Sequence, residues 1–310
     1  TKPDPDLYEH KYIHCDVLVI GGGISGIMAA KTAAENNYKT LLLDEKPHLG
    51  GTTIYQSSEF NKINNQYSSK WLENEISKLK NIKNLEVKTR TSVAAYHGYN
   101  FLLARENLTD HLPLNKKKGK IRQRLLKIRA KKVIAATGSI ERPLIFNNND
   151  RPGIILSSAI KKYSDYYGVV CGKENILFTN NDSAYETAIS LFNKGIKINA
   201  IIDIREKVNS EITNHAEKIG IKIYNSYTIV DTSGYRRIKE VSIMKLSKDG
   251  QSVTGSKIKI KCNCLGISGG WTPAVHLFTQ SGGKLKFDNE DNVFIPSKYP
   301  SDQISIGSCN

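Results

Sequence analysis

The fold is decided by the stretch Asp16-Val17-Leu18-Val19-Ile20-Gly21-Gly22-Gly23-Ile24-Ser25-Gly26-Ile27-Met28-Ala29-Ala30. Its apolar run, Val17 to Ile20, is too short for a helix and leads through Gly21-x-Gly23-x-x-Gly26 into residues with helical spacing. This order predicts the strand, tight turn and helix of a dinucleotide-binding βαβ unit. There the first glycine allows the turn, the second lets backbone approach a pyrophosphate, and the third lets the helix pack on the strand. The phosphates would lie on free N–H groups at the positive end of the helix.

The residues that follow complete this unit. We expect the helix to run to about Asn36 and to end at Asn37, before a second buried strand, Thr40 to Leu43, that leads to Asp44 and Glu45. These acids lie at the roughly 20-residue distance at which a carboxylate meets a ribose 2′-OH. An acid at Asp44 favours NAD or the adenosine of FAD over NADP, because it would repel a 2′-phosphate. The alternative is a glycine turn in an α/β protein that binds no nucleotide.

Length and composition indicate a globular protein of two domains. The chain has 310 residues, of which 39% are hydrophobic and 24% charged, enough to bury a large core. No apolar segment approaches the ~20 residues that cross a bilayer, and no signal-peptide pattern is present, so we expect no membrane association and a cytoplasmic location. The chain begins at Thr1 and ends at Asn310 without a closing element, which leads us to expect a piece of a larger polypeptide.

The net charge of +15 does not by itself indicate nucleic-acid binding. The lysines are spread along the chain and no nucleic-acid motif accompanies them. The one dense cluster, Asn115 to Lys120, lies between apolar runs and predicts a solvated hairpin turn. A docking surface for an acidic partner subunit is the alternative.

Cysteine and histidine spacing predicts neither a metal site nor a disulfide framework. The seven histidines are dispersed, and only two of the five cysteines, Cys262 and Cys264, lie close in sequence. No second pair completes a zinc set. We therefore expect buried or inert thiols and no metal.

Alternating and apolar segments extend the first domain. An amphipathic helix is expected from Trp71 to Lys80, and short strands of a β-meander from Leu85 to Ile128. Then an apolar strand from Lys132 ends in Ala136-Thr137-Gly138. Small residues there permit a close approach of backbone to ligand, so this segment is expected to return to the central sheet beside the cofactor.

A second α/β unit follows a linker rich in turn formers. Its predicted strand from Asn175 to Phe178, helix from Ser183 to Lys194 and strand from Ile198 to Ile202 repeat the first topology. The glycine positions are now occupied by Thr179-Asn180-Asn181-Asp182-Ser183-Ala184, so this unit is expected to keep the fold without a nucleotide. The expected fold class is α/β, with a discontinuous FAD/NAD(P)-binding Rossmann-like domain (residues 1–145 and 266–310) and an inserted smaller Rossmann-like domain (residues 146–265).

Gly50-Gly51-Thr52 after the second strand resembles the flavoproteins with two dinucleotide-binding domains typified by glutathione reductase. The resemblance implies that this segment, the backbone at Val93 and the last glycine, Gly307, lie near the cofactor. No redox-active cysteine pair follows, which excludes thiol–disulfide chemistry. Ser308 replaces the aspartate that binds the flavin chain in that family, which favours NAD over FAD.

Several longer runs resemble the α subunit of heterotetrameric sarcosine oxidase. They are Asp4 to Glu9, His14 to Val19, Thr91 to Leu112, Asn148 to Gly153, Thr179 to Tyr185 and, most specifically, Ser268 to Leu285. The resemblance implies the NAD-binding portion of that subunit. It also implies a β-type flavoprotein subunit whose FAD oxidises the amine, an FMN at the α/β interface, and further subunits. Sarcosine would be demethylated to glycine with hydrogen peroxide formed, but this chain alone would be inactive.

The expected site therefore binds a cofactor and contains no catalytic residue. His276 is the nearest candidate, with packing or subunit contact favoured over catalysis. Three alternatives remain: an autonomous FAD-dependent pyridine-nucleotide oxidoreductase, the α subunit of a related amine or proline dehydrogenase, and a scaffold that has lost its ligand. The residues expected to bind cofactor are Gly21, Gly22, Gly23, Ile24, Ser25, Gly26, Asp44, Glu45, Lys46, Gly50, Gly51, Thr52, Val93, Ala136, Thr137, Gly138 and Gly307.

Overall fold

A computed structural model describes residues 6–55 and 60–310. The helices are α1 (Ile24–Glu35), α2 (Ser68–Leu79), α3 (Leu114–Lys117), α4 (Ser157–Asp165), α5 (Ser183–Asn193), α6 (Glu211–Lys218) and α7 (His276–Gln280). The strands of the first half are β1 (Leu7–Ile20), β2 (Thr40–Leu43), β3 (Lys62–Ile63), β4 (Gln66–Tyr67), β5 (Leu85–Lys88), β6 (Thr91–His97), β7 (Phe101–Asn107), β8 (Ile121–Ala135), β9 (Ser139–Glu141) and β10 (Ile154–Leu156). Those of the second half are β11 (Glu174–Thr179), β12 (Lys197–Asp203), β13 (Ile223–Asn225), β14 (Tyr227–Ser233), β15 (Glu240–Leu246), β16 (Val253–Lys261), β17 (Cys264–Ser268), β18 (Trp271–Pro273), β19 (Lys284–Asp288), β20 (Val293–Lys298) and β21 (Gln303–Ser305).

The chain divides into two compact units. The first comprises Thr1–Ile54, Ile63–Ile140 and Thr272–Asn310, and the second Tyr55–Lys62 and Glu141–Trp271. The units change at residues 140/141 and 271/272, whereas the sequence predicted 145/146 and 265/266. The later return to the first unit has a physical reason, because β17 completes the sheet of the second unit by pairing with β10 and β11.

A seven-stranded sheet forms the centre of the first unit. Its order is β5-β2-β1-β8-β7-β6, and β21 also pairs with β8. The strands β5, β2, β1, β8 and β21 run parallel, while β7 and β6 form an antiparallel extension. Helix α1 packs through Ile27 on the face of the sheet that carries Val19 and Leu42. Parallel strands covered in this way are apolar on both faces, which explains the uninterrupted run Val17 to Ile20.

Local predictions in this unit are largely confirmed, with corrections at β1, β5, β8 and the lysine cluster after Asn115. Helix α1 ends at Glu35, and Asn37 adopts the left-handed backbone (φ 64°) that stops it. The first strand begins at Leu7, well before the apolar run Val17 to Ile20 from which it was predicted, because the residues from Leu7 onward pair with β8. Residues 85–88 are not in the meander but pair in parallel with β2.

Two further segments differ from their predictions. The segments around Arg124 and Val133 are one continuous strand, β8. The lysine cluster after Asn115 lies in the short helix α3 and the turn that follows it.

The second unit has its own parallel sheet. The strand order is β10-β17-β11-β12-β13, and a three-stranded antiparallel sheet, β14-β15-β16, accompanies it. The predicted strand, helix and strand of this unit are confirmed as β11, α5 and β12. Two cores lie on its faces, one with Phe178 and Ile202 and another with Leu177 and Tyr185.

Candidate functional site

The glycine turn between β1 and α1 is built by close backbone packing. Gly21 has a positive φ of 105°, and a Cβ there would overlap the carbonyl oxygen of Ala136. A Cβ on Gly26 would overlap the carbonyl oxygen of Gly21. These two glycines are therefore required by the fold of the turn itself: a Cβ at either position would overlap backbone, and Gly21 also has a backbone conformation that residues with a side chain rarely adopt.

Gly23 differs from its neighbours because it faces open space. Its backbone is extended (φ −71°, ψ −178°), and no atom lies within 4 Å of the position of a Cβ. It is the N-cap of α1, and no side chain caps that helix. The first N–H groups of a helix have no partner within the helix and carry a partial positive charge. The turn thus offers donors and space for the two phosphates of a dinucleotide.

Asp44 braces the turn from the end of β2. One carboxylate oxygen, Oδ2, accepts the Gly22 N–H at 2.6 Å, and Oδ1 accepts the Lys46 N–H at 2.7 Å. The residue is 7% exposed. Each carboxylate oxygen has two lone pairs, so the carboxylate retains acceptor capacity toward a ribose hydroxyl. Glu45, the neighbouring acid, is exposed.

The segment Gly50 to Thr52 lies against the turn as well. The Gly50 N–H donates to the Gly22 carbonyl at 2.6 Å, and a Cβ on Gly51 would lie 3.2 Å from the Gly23 Cα. Both glycines have positive φ values, 120° and 59°, and Thr52 is exposed. The structure therefore brings the two glycine segments together.

The remaining predicted residues approach the same edge of the sheet. The Thr91 N–H donates to the Asp44 carbonyl at 2.8 Å, which ties the start of β6, and hence Val93, to the end of β2. The Ala136 N–H donates to the Ile20 carbonyl at 2.8 Å. The following Thr137 hydroxyl donates to the Ala274 carbonyl at 2.8 Å.

Two contacts at this edge were not predicted. Besides accepting from Thr137, Ala274 donates its N–H to the Gly138 carbonyl at 2.9 Å. Gly307 has a φ of 71°, and a Cβ there would lie 2.5 Å from the Ser25 Oγ in the first turn of α1. Nothing in the local sequence signals these contacts, because the partners lie far apart in the chain. They place Ser25 and Gly138 beside segments from the end of the chain.

The corresponding turn of the second unit is filled by its own side chains. The Asn181 Oδ1 accepts the Ser183 N–H at 3.0 Å, and the Asn181 Nδ2 donates to the Ser268 carbonyl at 3.2 Å. The Thr179 Oγ1 accepts the Asn181 N–H at 3.0 Å. The indole N–H of Trp271 donates to the Ser183 hydroxyl at 3.2 Å. Side chains thus occupy donors and space that a nucleotide would need.

Asp203, the last residue of β12, has hydrogen-bond partners on both carboxylate oxygens. Asp203 is 0% exposed; its Oδ2 accepts the Tyr185 hydroxyl at 2.9 Å and the Arg205 Nη2 at 2.7 Å. Burial and the adjacent Asp203 carboxylate raise the pKa of Tyr185, which therefore stays a neutral donor. A second carboxylate, Asp182, lies 2.9 Å from the same Arg205 nitrogen.

Three of the five cysteines, Cys15, Cys262 and Cys264, are buried free thiols. Burial raises the pKa of Cys15, Cys262 and Cys264 to about 12, so these thiols stay protonated and unreactive, as predicted. Within residues 6–55 and 60–310, no group of three or more His, Cys, Asp or Glu side chains is arranged to hold a metal ion. In the same ranges no helix is long and apolar enough to cross a membrane. His276, at the start of α7, is exposed.

Comparison with known proteins agrees with this geometry. Residues 16–138 match the family described as FAD dependent oxidoreductase. The chain is 33% identical to sarcosine oxidase subunit alpha of Corynebacterium sp. (strain P-1) over 307 residues, 98% of this chain and 31% of that subunit. It is 30% identical to the subunit of the same name from Rhizobium meliloti (strain 1021), covering 94% of this chain and 28% of that subunit. The chain thus spans about a third of the length of these relatives.

Solved structures show the same fold. L-proline dehydrogenase from P. horikoshii superposes with a TM-score of 0.71 at 21% identity, covering 97% of this chain and 51% of that chain. Thioredoxin reductase from T. acidophilum superposes with a TM-score of 0.70 at 18% identity, covering 96% of this chain and 90% of that chain. The α/β architecture is therefore that of flavoprotein oxidoreductases with dinucleotide-binding, Rossmann-like domains.

Proposed function

Because this chain is similar to sarcosine oxidase α subunits along nearly its whole length, we propose that it is the NAD-binding portion of such a subunit. The coarser assignment, a flavoprotein oxidoreductase, rests on both the matched family and the fold. The observation that carries the finer one is the contrast between the open, uncapped turn at Gly23 and the filled turn at Asn181. One nucleotide per chain, in the first unit, is the consequence.

The residues of the first unit fit a dinucleotide. The pyrophosphate would lie on the N–H groups of Ile24 and Ser25, with Gly23 giving it room. Asp44 would accept an adenosine ribose hydroxyl and disfavour a 2′-phosphate. The flanking segments at Gly51, Thr52, Val93 and Gly138 would enclose the rest.

The chemistry of the assembly would lie outside this chain. A nicotinamide dinucleotide can exchange a hydride when bound, but no side chain at the turn is placed as a base or nucleophile. We propose that the amine is oxidised on a β-type flavoprotein subunit. An FMN at the interface with this chain would supply electron transfer from that subunit to oxygen, so that sarcosine, oxygen and water would give glycine, hydrogen peroxide and a one-carbon unit at the oxidation level of formaldehyde. The residues described here would bind and orient a nucleotide.

An absorbance spectrum and acid release of bound nucleotide test this proposal. The purified chain is expected to be colourless and to release NAD, with no NADH oxidation when it is assayed alone. A chain that releases no nucleotide, and that does not bind NAD in equilibrium dialysis, would contradict the proposal.

A second candidate is an FAD-dependent pyridine-nucleotide oxidoreductase that acts alone. It is favoured by the FAD dependent oxidoreductase match over the first unit. It needs a nicotinamide site in the second unit, where Asn181, Ser183 and Trp271 already bond to each other and to Ser268. A yellow protein that releases FAD and oxidises NADH would establish it.

A further inference from the structure

The first unit carries a long apolar groove on the outer side of α1. The groove has a volume of about 980 Å³ and lies between α1, the C-terminal half of β8 and β21. Its lining from α1 includes Ser25 in the first turn and Asn36 just beyond the last. It therefore extends along all 12 residues of the helix, roughly 18 Å.

Among the residues that the structure describes, no helix covers the part of the sheet that forms the floor of the groove. Ile134 of β8 and Ile304 of β21 are register partners and both line the groove. Ile304 is 50% exposed, whereas Val19, two strands further in and beneath α1, is 0% exposed. Parallel strands of this kind have both faces covered in folded proteins.

The groove-facing side of α1 is also apolar. The residues that α1 buries against its own sheet are Gly26, Ile27, Ala30 and Ala34. Its other side presents Met28, Ala29 and Ala33 to the groove. A helix that is apolar on both sides is one that is buried on both sides.

We propose that the groove holds an amphipathic helix of the same α subunit, from the part of that subunit that these 310 residues do not span. This inference rests on the proposed function. The size fits, because a volume of 980 Å³ spread over a length of roughly 18 Å gives a mean cross-sectional area about two thirds that of a helix about 10 Å wide. Such a helix would lie beside α1 with its outer face in solvent.

The length of the relatives and the charge of the chain support this occupant. The matched relatives are about three times as long, since the chain covers 31% and 28% of them, so polypeptide is available. A second copy of this chain is disfavoured because each copy carries a net charge of +15. The end of the groove away from Ser25 has ion pairs, Asp16 with Lys131 at 2.8 Å and Lys132 with Asp302 at 2.5 Å. These pairs give a polar boundary at which an apolar stripe would stop.

The two methionines of the chain are matched probes for this proposal. Met28 lines the groove, Met244 lies in β15 of the second unit, and both are partly exposed. The protein is purified from cells that make it from its own gene, with every chain that accompanies it, and treated with dilute hydrogen peroxide. Mass spectrometry then follows both sulfoxides, with rates normalised to the guanidinium-unfolded protein. We expect Met28 to be oxidised at least tenfold more slowly than Met244.

A lysine cross-linker then identifies what covers the groove. Lys131 and Lys132 line it, with side chains 80% and 60% exposed, and a cross-link to a helical segment outside these 310 residues is expected. Equal oxidation of Met28 and Met244 would overturn the proposal. Protection of Met28 would also overturn the proposal if the only cross-links join identical peptides. The same holds if that protection is lost when small molecules are removed by gel filtration in dilute urea. Nucleotide content is measured on the same sample. If NAD is absent while Met28 is still protected, the proposed function is rejected and the groove proposal is not.

Discussion

The two strand–turn–helix segments of this protein share one topology and differ in what occupies the turn. In the first, Gly23 faces open space and α1 has no side-chain cap. In the second, Asn181 accepts the N–H of Ser183 at the start of α5, and Trp271 closes over the same serine. The orphan N–H groups of a helix need a partner. In the second unit the protein's own side chains supply it, and we propose that a ligand supplies it in the first.

The acids at the ends of β2 and β12 differ in the same way. Asp44 accepts two backbone N–H groups and retains lone pairs. Asp203 is 0% exposed and is used by Tyr185 and Arg205. The first acid supports a turn that remains open to a ribose, while the second, itself buried, is paired with the partly buried Arg205.

The largest expected effect compares a glycine that the first turn requires with a glycine at which a Cβ would meet no other atom. Gly26→Ala places a Cβ on the Gly21 carbonyl oxygen, and we expect a loss of about 3 kcal/mol in the free energy of unfolding together with loss of nucleotide binding. Urea unfolding measures it. Gly98→Ala is the matched control, because no atom lies within 4 Å of its Cβ position. If both variants unfold at the same urea concentration, the packing account of the turn fails.

The next effect compares the two acids. Asp203→Asn removes a buried partner of Arg205 and is expected to cost about 3 kcal/mol of stability without changing the dissociation constant for NAD. Asp44→Asn leaves one of two backbone N–H groups without its acceptor, costing about 1–2 kcal/mol, and weakens NAD binding.

Thermal unfolding and NAD titration of both variants test this pair. Glu45→Gln, the exposed neighbour, is the control and should leave both quantities unchanged. Weaker NAD binding in Asp203→Asn, with binding intact in Asp44→Asn, would reverse the roles that we give to the two units.

A smaller effect is expected where the turn is open. Gly23→Ala introduces no clash and no backbone strain, so the free energy of unfolding should change by less than about 0.5 kcal/mol. The added methyl group lies where the pyrophosphate would approach, and we expect affinity for NAD to fall about tenfold or more, which corresponds to about 1.4 kcal/mol. Calorimetric titration measures it. Unchanged affinity would mean that the ligand does not use this turn.

The smallest effect concerns a carboxylate that the second unit uses for its own fold. Glu141 is buried and accepts the Ser158 N–H at 2.8 Å near the start of α4, and burial raises the pKa of its carboxyl. The folded state then holds this proton more tightly than the unfolded chain. Stability from this group is therefore full below about pH 4.3 and falls as the pH rises through the raised pKa. In Glu141→Gln the free energy of unfolding should fall less over that interval, and parallel pH profiles for both proteins would contradict the assignment.

The sequence alone was sufficient to predict those parts of the fold that depend on adjacent residues. The run Val17 to Ile20, the glycines and the helix that follows are confirmed because burial, turn conformation and helix spacing are all written in adjacent residues. The first half of β1 was missed because exposed residues such as Tyr8 and Tyr12 hide a strand that exists through pairing with β8. The place of β17 depends on strand order, which is set by contacts distant in sequence.

The same limit applies to the candidate site. Gly21, Gly26 and Asp44 were identified from spacing alone, since their roles are set within one βαβ unit. The closure of the second turn by Trp271 was not, because its partner Ser183 lies 88 residues away. The side-chain substitutions at the second turn were visible in the sequence, but their hydrogen bonds required the fold.

The number of NAD molecules bound per chain tests the central claim most directly. The protein is stripped of nucleotide, and NAD is titrated by calorimetry into the wild type, the Gly23→Ala variant and a Ser183→Ala variant. The account predicts one site in the wild type, about tenfold or more weaker binding in Gly23→Ala, and the wild-type dissociation constant in Ser183→Ala. Two sites per chain, or binding that Ser183→Ala weakens while Gly23→Ala does not, would contradict it.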